Sequence, residues 1–176
     1  GTKVLLTADN SGWATAYDIY VTANDNVHTV GWKHNGYQDV AVHWTNTDES
    51  VLTDNTTPAS VSALELDADM NIYMVGMRDR KGFFWKNDNF NAFEVKPDHV
   101  DEKHNGFATD VITRDQTLYI AGWYKSNETG NRQPYYRQGT EYYSIADENT
   151  DAVALAMFVP SLGNVYTAGN EVNSKG

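Results

Sequence analysis

Two tryptophans occupy the same place in two closely similar phrases. Trp32 follows a glycine in "VHTVGWK" (27–33), and Trp123 follows one in "LYIAGWY" (118–124). On an open surface an indole can stack on the apolar face of a sugar ring, and Tyr124 adds a second aromatic ring with a polar tip. Packing between structural units is the competing use of both tryptophans. Asp110 is the fourth residue singled out. It breaks an apolar pattern in "ATDVITR" (108–114), where a carboxylate could reach a central channel. The alternative is a register shift that puts Val111 inside instead. Trp32, Trp123, Tyr124 and Asp110 are the candidate ligand-binding positions.

Other chemically suggestive residues carry less. "DADMN" (67–71) spaces Asp67, Asp69 and Asn71 like the opening of a calcium loop, but the glycine and distal glutamate such a loop needs are missing. It reads as a turn. The five histidines show no metal-binding spacing; His28 falls in a slot held elsewhere by tyrosine and reads as packing, and His99 and His104 sit in the charged stretch 96–106. With no cysteine in the chain, disulfides, thiol nucleophiles and cysteine-ligated metals are excluded. Nucleophile elbows, P-loops and dinucleotide fingerprints are also missing. No catalytic residue, metal ligand or cofactor is assigned, and the reading leans away from an enzyme.

What must position these residues is a repeat. Gly31, Gly76, Gly122 and Gly169 are spaced by 45, 46 and 47 residues. Ten residues before them stand Val21, Leu66, Ile112 and Val159; twelve before stand Ile19, Leu64, Asp110 and Met157. That alternation marks a strand face. Polar turns follow at 23–26, 67–71, 114–117 and 160–164, so each unit opens with a hairpin. Third strands are expected at "AVHWTN" (41–46), "GFFWKND" (82–88) and, more weakly, "YYRQGT" (135–140). Fourth strands are expected at 50–53, 92–95 and 142–146. A period in this range signals a repeat architecture, and four antiparallel strands per unit is the size of a β-propeller blade.

The expected fold is therefore all-β, a β-propeller of four-stranded blades of 45–47 residues in a single domain, 1–176. Its units run approximately over 14–60, 61–106, 107–151 and 152–176 plus 1–13. About four blades with the terminal blade shared between the chain ends, a fragment of a larger propeller, and a homodimer completing the ring are the open arrangements.

Composition agrees with short strands: 12% of residues are aromatic, and Asn, Asp, Thr and Gly separate the apolar runs. The charge is −11, from 13 basic and 24 acidic residues, which disfavours nucleic acid and anionic membranes. No apolar run approaches the roughly 20 residues of a membrane-spanning helix.

The phrases "VYTAG" (165–169), "LYIAG" (118–122), "FWKND" (84–88), "HWTNT" (43–47) and "VLTD" (51–54) resemble those of bacterial secreted or surface β-propeller repeat proteins with "VYVAG…YWKNG"-type blades. The resemblance covers most of the chain and implies a propeller in a secreted or cell-surface bacterial protein; it carries no catalytic residues. The third unit departs most, with Arg137 near the tryptophan position. The expected function is a non-catalytic binding module with a glycan ligand. A protein-interaction scaffold, using a propeller face or the 124–134 loop, is the first alternative. A polysaccharide-acting hydrolase or lyase is the second.

Overall fold

The computed structural model describes residues 13–94, 105–161 and 164–172. Among them are fourteen strands and no helix, so no helix is long and apolar enough to cross a membrane. Sheet one is β1 (Ala14–Val21), β2 (Val27–His34), β3 (Asp39–Thr45) and β4 (Asp48–Val51). Sheet two is β5 (Ala59–Leu66), β6 (Ile72–Arg78), β7 (Lys81–Lys86) and β8 (Asn89–Glu94). Sheet three is β9 (Gly106–Arg114), β10 (Thr117–Lys125), β11 (Arg132–Gln138) and β12 (Glu141–Ser144). Sheet four is the hairpin β13 (Asp151–Phe158) and β14 (Tyr166–Val172). Each sheet is an antiparallel meander in chain order. Residues 1–12, expected to complete the terminal unit, and the charged stretch 96–104 with His99 and His104 lie outside the described residues.

The repeated glycine has a steric cause. Gly31, Gly76, Gly122 and Gly169 pair with Ala16, Val61, Ala108 and Ala154. The residue after each of these partners, Tyr17, Ser62, Thr109 or Leu155, is skipped by the register as a β-bulge. The kink drives a backbone carbonyl at the glycine. A Cβ there would lie 1.9, 2.1, 2.2 or 1.8 Å from the oxygen of Thr15, Ser60, Phe107 or Val153. No side chain fits at those distances.

The bulges also correct the expected register of the third unit. Five residues separate the pairs Val21–Val27 and Leu66–Ile72, but four separate Thr113–Leu118. That hairpin closes through Asp115 and Gln116 at φ 49° and 63°, the compact two-residue turn. The position of Ile19, Leu64 and Met157 is therefore taken by Val111, and Asp110 aligns with Asp18. On the third strand Arg137 pairs with Ile120 as Trp44 pairs with Thr29 and Trp85 with Met74. It holds the tryptophan slot without a slip.

The asparagine after each buried tryptophan has its own reason. Asn46 and Asn87 sit at φ 56° and 51°, where asparagine is tolerated. Their side chains accept the first amides of the neighbouring β2 and β6, Val27 at 3.0 Å and Ile72 at 2.7 Å. Sheet three places Gly139 at this turn, at φ 59°.

The core lies between sheets. Val30, Ala41 and Leu52 pack on Val61, Leu64, Leu66, Met74 and Trp85 of sheet two. Ala63, Val75 and Phe84 pack on Val111, Ile120 and Tyr135 of sheet three. Tyr119 and Ala121 pack on Ala154, Met157 and Val159 of sheet four. Each full burial of a large apolar side chain is worth about 1.5–3 kcal/mol, so the stacking is the main source of stability. Among the described residues the series does not close on itself: Ile19 of sheet one and Phe158 of sheet four are both exposed.

Candidate functional site

A polar cleft of about 660 Å³ opens between sheets two and three, at the end where their first hairpins turn. It is organised by Asp67. One carboxylate oxygen accepts the amides of Asp69 and Asn71, both at 2.9 Å; the other accepts the Asn71 side-chain amide at 2.8 Å and the Tyr73 hydroxyl at 2.9 Å. Desolvation works to raise its pKa, but these hydrogen bonds outweigh it and hold the carboxyl below its usual range. The calcium-like spacing of Asp67, Asp69 and Asn71 thus serves an Asx turn. Lys86 lies 5.1 Å over the Tyr73 ring, a cation–π arrangement that fixes both.

The cleft also holds Glu65 and, from sheet three, Arg114 and Gln116. Burial pushes the Glu65 carboxyl up, with Asp110 and Asp18 adding to the rise and Arg114 opposing it. Arg114 donates to the Val159 carbonyl at 3.1 Å, which anchors it toward sheet four. The walls therefore offer carboxylate acceptors, amide donors and acceptors, one ammonium and a phenol ring.

Trp32 and Trp123 lie beyond the glycines, toward the opposite end of β2 and β10 from this cleft. Both are partly buried, and the Trp32 indole donates to the Tyr17 hydroxyl at 3.1 Å. Tyr124 packs its ring 6.2 Å from that of buried Tyr135, and desolvation with the Glu148 charge raises its pKa. The fold does not bring these three to one place with Asp110.

Asp110 is a backbone clamp. Its carboxylate accepts the Val111 amide at 2.8 Å and, across the interface, the Met157 amide at 2.6 Å. Asp18 does the same for Ile19 at 2.8 Å and Leu64 at 2.9 Å. Two carboxylates thus satisfy the bulge-displaced amides of all four sheets. Burial raises the Asp110 pKa, against the two amide hydrogen bonds, and the Asp18 charge adds to the rise.

A second cluster escaped the sequence reading. His43 Nδ1 lies 2.7 Å from Asp88 Oδ1, and its Nε2 lies 3.0 Å from His28 Nδ1. Both imidazoles are buried and stack at 5.2 Å and 14°. With a proton on His43 Nδ1 facing the carboxylate, Nε2 is left to accept from His28 Nδ1–H. Desolvation, with the His43 charge, lowers the His28 pKa, against Asp88. The pair replaces the stacked Tyr73 and Phe84 of sheet two, so His28 does pack, and it also ends a hydrogen-bonded chain. The available signal was that His43 and Asp88 stand 45 residues apart, one repeat.

The expected 124–134 loop is largely strand, with Tyr124 paired to Gln133 and Lys125 to Arg132 and only 126–131 left as the turn; the stretch is laid against the segment joining sheets three and four. Gln133 donates to the carbonyls of Glu148 and Thr150 at 2.9 and 3.1 Å, and Arg132 grips Asp151 at 2.9 and 3.0 Å. No protein-family model matches the chain, and no curated protein matches it.

Proposed function

We propose that this chain is a non-catalytic, glycan-binding module of a secreted or cell-surface bacterial protein, with its sheets arranged as β-propeller blades. The blade reading is supported by three four-stranded meanders and a hairpin, stacked face to face with their first strands adjacent. The cleft between sheets two and three carries the ligand assignment. Carboxylates, amides and Lys86 converge there on a space fit for one or two sugar residues, and convergent hydrogen bonds to hydroxyls are what such a ligand needs. Glycoside hydrolysis needs two available carboxyl groups. Asp67 spends both of its oxygens on the turn, which removes it from that chemistry.

The test is a glycan-array screen on protein shown to melt cooperatively, followed by calorimetry with the best hit. Lys86→Ala with Gln116→Ala should weaken binding at least tenfold and leave the melt intact. Loss on Trp32→Ala with Trp123→Ala, and none on the cleft pair, would move the site to the other end of the strands. A blank array from folded protein would overturn the glycan assignment.

A further inference from the structure

The three internal interfaces share one design. The later sheet receives the earlier one on the position two residues after the bulge of its first strand: Leu64, Val111 and Met157, which are 5%, 2% and 8% exposed. In sheet one that position is Ile19, 62% exposed. Ile19 lines an apolar hollow of about 480 Å³ with Tyr17 and Val27. The covering face is equally regular. Sheet three covers sheet four with Tyr119 and, beside it, Ile112; the paired slots in sheet four are Tyr166 and Phe158, 57% and 61% exposed. Among the described residues, one end of the series is an unoccupied receiving face, and the other an unused covering face.

The polar chemistry says what fits between them. After each bulge stands Asp18, Ala63, Asp110 or Ala156. When an aspartate covers, it caps the next sheet's displaced amide, as Asp18 does for Leu64 and Asp110 for Met157. When Ala63 covers, it offers no acceptor, and the receiving Val111 amide is capped by its own Asp110. Sheet four offers Ala156, and the receiving Ile19 amide is capped by its own Asp18. Sheet four therefore matches sheet two as a covering face, and sheet one matches sheet three as a receiving face. Stacking sheet four on sheet one continues the established series, with apolar surfaces matched and no amide stranded.

We propose that sheet four of one molecule covers sheet one of a second copy of this chain, head to tail, and that two such interfaces close a two-copy ring. Each interface is heterologous: the surface containing Ile19 and Val21 meets the surface containing Leu155, Ala156, Phe158 and Tyr166.

Sedimentation equilibrium over a wide dilution series, on the full chain, tests it. Wild type should be a dimer, and Ile19→Glu and Phe158→Glu should each be monomeric while still melting cooperatively. Mixing the two variants should restore dimers, since the mixture retains one intact pair of faces. If either variant fails to melt cooperatively, disulfide trapping decides instead. The chain has no cysteine, so Ile19→Cys mixed with Ala156→Cys should cross-link under mild oxidation, while each alone should not. A monomeric wild type, a dimer indifferent to both substitutions, or folded variants whose mixture stays monomeric would overturn the proposal. So would cysteine variants that link to themselves but not to each other.

Discussion

Replacing Asp110 with alanine should destabilise the protein by about 3 kcal/mol. The carboxylate accepts two backbone amides, Val111 within its own strand and Met157 across the interface. Leaving a buried donor unsatisfied costs about 1–3 kcal/mol, so the two together put about 2–6 kcal/mol at stake. Part is returned, because burial already raises the pKa of this carboxyl and removing it relieves the desolvation. The net sits in the lower half of that range, a large share of a native stability of about 5–15 kcal/mol. Asparagine keeps one acceptor and turns an NH₂ toward the other amide, so Asp110→Asn should lose about half as much. Urea unfolding followed by tryptophan fluorescence gives the magnitude, and amide exchange gives the location: protection should fall first at Val111 and Met157. Asp18→Ala should behave alike through Ile19 and Leu64. An Asp110→Ala protein within about 0.5 kcal/mol of wild type, the range of a neutral surface change, would refute the clamp.

Gly76→Ala should cost about 3 kcal/mol in the same assay, since its Cβ would lie 2.1 Å from the Ser60 carbonyl oxygen and the bulge must shift. The buried His28 has a pKa below its ordinary 6.5, so the unfolded chain binds its proton first. Stability should therefore be full above that value and fall as pH drops below it, and His28→Tyr, with His43→Phe to recreate the neighbouring aromatic pair, should flatten that slope. Asp151, held at about 2 by its Arg132 hydrogen bonds, contributes stability above the ordinary carboxyl range that is lost as pH falls toward 2. Its carboxyl carbon should titrate near that value by NMR and move up toward 3.8 in Arg132→Gln.

The sequence by itself determined the repeat and what imposes it. Glycines spaced by 45–47 residues are visible because one steric demand, a bulge carbonyl against a strand, recurs four times. The hairpins and outer strands are legible because their alternation and turn residues are local. Some readings required the tertiary structure. Asp110 looks like an intrusion when counted from Gly122, since a hairpin one residue shorter is offset only by knowing where the bulge falls. Its partner Met157 lies 47 residues away, on a different sheet. His43 and Asp88 meet for the same reason, and Glu65 faces Arg114 across a cleft that exists only once sheets two and three are stacked. Period and turn chemistry are written along the chain. Which carboxylate caps which amide, which faces are buried and which stay bare depend on the packing of one repeat against the next.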